Sequence, residues 1–202
     1  MHALIVVAHP HPASLTHAVA AQVAQGVASA GLPGPQHTTE IADLAAEGFD
    51  PRFTAADLAL HLKQAPAPAD VAAEQLRLDK ADALVLVYPV YWWSFPALLK
   101  GWIDRVLTQG YAYEEGEDGQ LTKKLGHLQV HLLGIGGAGG GTYERHGYAG
   151  AMATQIDHGI FGYCGARVAS SRLLLQSHDK EFAASHLTAA QALGRSLFAP
   201  SP

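Results

Sequence analysis

The sequence predicts an α/β protein: a three-layer α/β/α sandwich around a five-stranded parallel sheet in the order 2-1-3-4-5. Three observations predict it. Apolar runs of strand length recur along the chain, helical stretches separate them, and the runs are apolar at nearly every residue. A strand buried on both faces reads as such a run, which marks a parallel sheet covered by helices. Alternating strands and helices imply right-handed crossovers. Five strands suit this order better than a six-stranded dinucleotide fold, in one domain spanning 1–202.

The elements follow in order. "ALIVVAH" (3–9) is the first strand and 14–30 the first helix. "HTTEIA" (37–42) is a weaker strand nearer an edge. "KQAPAPAD" (63–70) ends an insertion before a helix over 70–80. "ALVLVYP" (83–89) is the third strand. The helix after it covers 96–109, with Ser94 as cap, Pro96 in the first turn and Gly110 as the residue that ends it. "LQVHLLG" (128–134), a helical pattern near 150–163, "RVASSRLLL" (167–175) and a helix over 180–198 complete the chain.

Composition narrows the function. Hydrophobic residues make up 49% of 202, enough for a sizeable core. Thirteen basic against 18 acidic residues give a net charge of −5, with no basic cluster, which argues against nucleic acid and anionic membrane surfaces. No signal peptide or membrane span is expected, since the apolar stretches have strand length. Cys164 is the single cysteine, so no internal disulfide forms and a cytoplasmic setting is the default. The 12 histidines are scattered, with no metal-binding spacing, and no metal site is expected.

In open parallel sheets, ligands bind outside the carboxyl ends of the strands near the switch in strand order. That selects three loops. The first, "AHPHPASLTHAV", leads into a helix capped by Ser14, and His9, His11, Ser14 and Thr16 can donate to a phosphate there. The same residues also suit an ordinary capped helix. The second carries Tyr91, Trp92 and Trp93 ahead of an apolar stripe of Leu98, Leu99, Trp102, Ile103, Val106 and Leu107. The three aromatics cannot all point inward; they suit stacking on a planar ligand or a contact between subunits. The third, "GIGGAGGGTYERHGYAG", matches GxGxxG at Gly134, Gly136 and Gly139, but the residues after it do not open a helix. It reads as backbone lying close to a flat ligand, or as a surface loop, with Tyr143 and His146 as hydrogen-bonding groups. A phosphate-binding helix start, an aromatic wall and a glycine loop describe a flat cofactor with a phosphorylated tail, which fits a flavin.

On "AHPHPASLTHA", "FDPR", "DVAAEQLRLDKADALVLVYPVYWWSFPALLKGWIDRV", "GGAGGGTY", "HG" (146–147) and "YCGARV" (163–168), the chain resembles the NAD(P)H:quinone oxidoreductase family of flavodoxin-like flavoproteins. That family includes ancillary oxidoreductases of glutathione-gated potassium-efflux systems. The resemblance covers roughly residues 3 to 175 and implies a flavodoxin-like fold. It implies that His9, Ser14, Leu15 and Thr16 hold the flavin phosphate tail, and that Pro89, Val90, Tyr91, Trp92 and Trp93 line the isoalloxazine. It further implies Gly136 and Gly137 beside the pyrimidine edge, and Tyr143 and His146 as the pair that stabilises charge on the reduced flavin. Tyr113 would close the substrate pocket of Trp92 and His146 from a partner subunit. Tyr91 stands where the animal quinone reductases carry Gln, and Glu115 where a second pocket aromatic would be.

The activity so implied is reduction of quinones or similar aromatic acceptors by NAD(P)H, with FAD or FMN, in a homodimer. A regulatory subunit of a potassium-efflux transporter is the alternative from a different class. A one-electron shuttle would be more acidic, and no G-x-S-x-G nucleophile elbow supports a hydrolase.

Overall fold

The structure is a computed structural model that describes residues 1–31 and 37–199. β1 (His2–Val7) lies inside a five-stranded sheet, flanked by β2 (Thr38–Asp43) and β3 (Ala83–Pro89). β6 (Gln129–Ile135) and β7 (Arg167–Leu174) extend it beyond β3, giving the order β2-β1-β3-β6-β7 with every pairing parallel. β4 (Tyr113–Glu115) and β5 (Leu121–Lys123) form a separate antiparallel hairpin. The numbering expected from sequence, 2-1-3-4-5, omitted that hairpin, whose strands are only three residues long.

Successive side chains of a strand point to opposite faces, and here both faces are dry. Leu4, Val6, Leu84, Leu86, Tyr88, Val130 and Leu132 join a core with Leu99, Trp102, Ile103 and Val106 of α4 (Ala97–Val106). Ala3, Ile5, Val7, Val85, Val87, Leu133 and Ile135 join a second core with Val19 and Val23 of α1 (Leu15–Ala28). Ala190 and Leu193 of α7 (Lys180–Ser196) complete it. α1 and α7 touch backbone to backbone: a Cβ on Gly194 would lie 2.1 Å from the Val23 carbonyl oxygen, and one on Gly26 2.3 Å from that of Gln191. The ends of β1, β3 and β6 come out together at one edge of the sheet, which positions the three loops singled out above.

The insertion after β2 contains a helix, α2 (Ala55–His61), started by a capping box between Thr54 and Asp57. Asp57 and Arg105 are both buried; Arg105 Nε donates to Asp57 Oδ1 at 2.9 Å and Nη1 to Asp70 Oδ2 at 2.6 Å. This pins α2 and α3 (Ala69–Asp79) onto α4. Trp102, fully buried, donates Nε1–H to Glu74 Oε2 at 2.8 Å, so it belongs to the core.

Several boundaries differ from expectation. α4 has Pro96 as its N-cap residue with no side-chain cap, and Ser94 donates instead to Gln155 Oε1 at 2.9 Å. The helix stops at Val106, and Gly110, at φ 87°, turns the chain toward the hairpin rather than closing the helix. The glycine run does open a helix, α5 (Gly140–His146), whose residues carry too little apolar periodicity to announce it. The helical pattern near 150–163 resolves into α6 (Tyr148–Met152) and a π-helical stretch, Ala153–Gly162, of a kind that is rare and concentrates at functional sites. No helix among the described residues is long and apolar enough to cross a membrane.

His131, in the middle of β6, has its Nδ1 2.8 Å from Ser170 Oγ, while its buried Nε2 lacks a partner. Burial, then Arg172 and Arg167, push its pKa down to about 4. The unfolded chain therefore takes up this proton first as pH falls from about 6.5, and the native state follows only near 4. Stability is expected to drop across that window by on the order of 3 kcal/mol. Urea unfolding of wild type and His131→Asn between neutral pH and pH 4 checks this: the variant should lose most of that slope.

Candidate functional site

β1 delivers His9 to the carboxyl edge, and Ser14 starts α1: its Oγ accepts from the His17 N–H at 3.3 Å. The first-turn N–H groups of a helix have no intrahelical acceptors and carry the positive end of its dipole. They open on a cavity of about 400 Å³ lined by His9, Ser14, Leu15, Thr16, Pro89 and Val90, with Tyr91, Ile135, Gly137, Ser177 and His178 around them. Thr16 is only 2% exposed, and its hydroxyl has no hydrogen-bond partner among the described residues. His11, by contrast, is turned to solvent; its Nδ1 accepts from the Ala13 N–H at 3.1 Å.

A second cavity of about 150 Å³ is lined by Val90, Trp92, Trp93, Gly136, Gly137, Ala138 and Tyr143. The two cavities share Val90 and Gly137 and so adjoin each other along one cleft edge of the sheet. Tyr143 is buried, and its hydroxyl has no partner among the described residues; burial raises its pKa, so it keeps its proton at neutral pH and remains a donor. A Cβ on Gly136 would lie 2.8 Å from that hydroxyl oxygen, which is why glycine is needed there. Gly134, further down β6, sits over the Tyr88 hydroxyl and the Val90 side chain in the same way.

Between the cavities the chain makes a two-residue turn. Tyr91 N–H donates to Ser94 O at 3.2 Å, and Ser94 N–H returns to Tyr91 O at 3.1 Å. The two central residues, Trp92 and Trp93, have φ of 49° and 60°. Such turns favour Asn-Gly because each left-handed residue with a bulky side chain is strained. Trp93 is held by stacking on Tyr148 at 3.7 Å and an edge contact with Tyr143 at 5.3 Å. Trp92 is 92% exposed, with nothing among the described residues covering it. Backbone strain spent on presenting an uncovered indole points to a functional site. Trp92→Asn is expected to raise stability by about 1 kcal/mol, or roughly 2–4 °C in the melting midpoint for a chain of this size, measured on ligand-free protein.

Most residues singled out from sequence therefore meet in one cleft: His9, Ser14, Leu15, Thr16, Pro89, Val90, Tyr91, Trp92, Trp93, Gly136, Gly137 and Tyr143. Two do not. His146 is exposed and stacks on Tyr148 at 5.1 Å, outside both cavities. Tyr113 makes an edge contact with Tyr163 at 5.1 Å and lines a separate apolar groove of about 520 Å³ between α2, α4 and the π-helical stretch. Ser177 and His178, on the connection from β7 to α7, were missed because they belong to no motif; only the position of that loop at the same sheet edge signals them. Also missed was His17, whose Nε2 lies 2.8 Å from Asp43 Oδ2.

These residues fit a flavin. Unpartnered hydroxyl and first-turn N–H donors serve an anionic tail, and aromatic walls with a close-lying glycine backbone serve a planar ring. Among the described residues no group of three or more metal-ligating side chains occurs.

Comparison with known proteins agrees with this geometry. A family model described as flavodoxin-like fold matches residues 1–196. The ribosyldihydronicotinamide dehydrogenase [quinone] of Pongo abelii is 31% identical over 195 residues, covering 84% of this chain and 79% of that protein. A solved NAD(P)H:quinone oxidoreductase from Methanothermobacter marburgensis superposes with a TM-score of 0.87 at 30% identity, covering 98% of each chain. An FMN-dependent NADH-azoreductase from Bacillus anthracis str. Ames Ancestor, solved in complex with FMN, shares the fold at 16% identity, with a TM-score of 0.72 and 97% of this chain covered.

Proposed function

The chain belongs to the flavodoxin-like fold family, and from that premise we propose that it is a flavin-dependent NAD(P)H oxidoreductase reducing quinones or similar aromatic acceptors. The observation that carries this reading is the pair of adjoining cavities at which a helix N-terminus, an aromatic turn and a glycine backbone converge. Relatives that the chain matches over most of their length are named as quinone-reducing dehydrogenases, and this chain is an oxidoreductase of that kind.

The chemistry a flavin supplies when bound is two-electron transfer through N5, from NAD(P)H first and to the acceptor second, in ping-pong order. The protein's part is binding and electrostatics. His9, Ser14, Thr16 and the first-turn N–H groups of α1 hold the phosphate. Val90 and the Trp92–Trp93 turn hold the ring face, leaving exposed Trp92 to meet the nicotinamide or the acceptor. With a flavin bound, the Tyr143 hydroxyl would be a donor for the negative charge that a reduced ring carries; a donor fixed before the reaction costs no reorganisation.

Tyr113 lines a groove whose rim leaves Phe53 52%, Leu58 49% and Tyr163 43% exposed. Clustered exposed apolar side chains mark a contact surface, and a second copy of this chain seated there would bring its own Tyr113 toward the cleft as a homodimer. Sedimentation velocity checks the assembly: a dimer is expected, and a monomer would remove Tyr113 from the pocket.

The central test is purification followed by cofactor extraction. The protein is expected to be yellow, or to become so with FMN or FAD, and to oxidise NAD(P)H in the presence of a quinone. A colourless protein that no flavin reconstitutes would overturn the reading.

A further inference from the structure

Behind the phosphate-facing cavity, Ser14 is backed by two residues, His17 and Asp43, that none of the roles above uses. Asp43 Oδ2, at the end of β2, lies 2.8 Å from His17 Nε2, and His17 Nδ1 lies 2.9 Å from Ser14 Oγ. Ser14 lines the cavity; His17 and Asp43 do not. Burial pushes the Asp43 carboxyl up, but the contact with His17 and the N–H groups of Ala46 and Ala45 outweigh it and hold Asp43 below its ordinary value. An ionised carboxylate only accepts, so His17 Nε2 carries a proton.

The other nitrogen has two choices. On a neutral ring, Nδ1 is an acceptor and takes the single hydroxyl proton of Ser14, which then offers the cavity lone pairs alone. On an imidazolium, Nδ1–H donates to Ser14 Oγ, and the hydroxyl proton is free to turn into the cavity. An anion in the cavity favours the second state twice over, by charge and by the donor it gains. The cavity is built for an anion: Thr16, a buried residue whose hydroxyl can donate, lines it beside the first-turn N–H groups of α1.

We propose that His17 is a positioning residue for the phosphate of the bound flavin: phosphate binding draws a proton onto His17, and the imidazolium, clamped by Asp43, turns the Ser14 hydroxyl toward the phosphate. This rests on the flavin reading above. One proton enters from solvent at Nδ1 for each flavin bound; no covalent bond other than N–H forms, and no electrons move.

Three other histidines face the same region. His9 lies edge-on to His17 with ring centres 6.2 Å apart; burial holds it below the ordinary histidine range, and its Nδ1 accepts from the His11 N–H at 3.0 Å. His11 is exposed with Nδ1 occupied by Ala13 N–H, and His178 reaches the cavity from the β7–α7 connection. Of the four, His17 has a carboxylate at hydrogen-bond distance.

The test follows the imidazole protons directly. Ring 15N–1H correlation spectra at about pH 7.5, assigned by the signal missing in His17→Gln, are expected to show one protonated nitrogen on His17 without flavin and two with saturating FMN. Riboflavin, which lacks the phosphate, should leave it at one. Calorimetry in two buffers of different ionisation enthalpy should register a proton taken up per FMN in wild type and none in His17→Gln or Asp43→Asn. FMN affinity should weaken by about tenfold in His17→Gln, with riboflavin affinity unchanged. Bound FMN with His17 still singly protonated, or equal proton uptake in His17→Gln, would overturn the inference while leaving the flavin reading intact. Wild type that quenches neither FMN nor FAD fluorescence would overturn both, and is recognised by the absence of binding itself.

Discussion

Tyr143→Phe is expected to slow flavin reduction by NADPH about tenfold to a thousandfold in single-turnover stopped flow, by analogy with oxyanion-hole donors. The variant keeps the aromatic body that touches Trp93 at 5.3 Å and removes only the hydroxyl, so packing around the cleft should survive. Flavin affinity should change little, because the lost interaction strengthens only as charge develops on the ring. His146→Ala is expected to cost less, since its ring is exposed and stacks on Tyr148 outside the cavities. Unchanged reduction rates in both variants would remove the donor role from this pair altogether.

Arg105→Leu is expected to destabilise the fold by about 3–5 kcal/mol, the cost of stranding a buried charge. Asp57 is 0% exposed and holds Arg105 Nε at 2.9 Å, while the guanidinium also donates to the Asp50 carbonyl at 2.8 Å. The loss should appear as a lower denaturation midpoint at unchanged slope. Arg105→Leu combined with Asp57→Asn should recover part of it, because the uncompensated carboxylate is then gone. A loss below about 1 kcal/mol would mean that water reaches Asp57.

What was legible in the sequence follows a physical division. The fully buried β3 writes its environment into every residue, "ALVLVYP", and needs no partner to be recognised. The loops of the cleft were legible because the parallel sheet fixes where its strands end, and because Tyr-Trp-Trp and a glycine run are costly without a ligand. The turn at Trp92 and Trp93 was not, since its dihedrals contradict the preferences of both residues; the Tyr91–Ser94 backbone pair closes it, and contacts with Tyr148 and Tyr143 hold Trp93. The seven-residue α5, with few apolar positions, leaves no periodic trace, and the helical pattern near 150–163 does not reveal that Ala153–Gly162 winds as a π-helix. The pairing of His17 with Asp43 spans 26 residues and depends on β2 lying beside β1, so neither residue reveals it alone.

The Gly26–Gly194 crossing has a consequence for how the chain is made. α1 leaves the ribosome well before α7, yet each is the other's cover over the same face of the sheet. Until Lys180–Ser196 emerges, a nascent chain carries Ile5, Val7, Val85, Val87 and Leu133 beneath a half-built layer. Synthesis runs at about 5–20 residues per second, so that apolar face waits several seconds for its lid. Premature termination before α7 would release an adhesive intermediate, and chaperones would be expected to meet this protein through that surface.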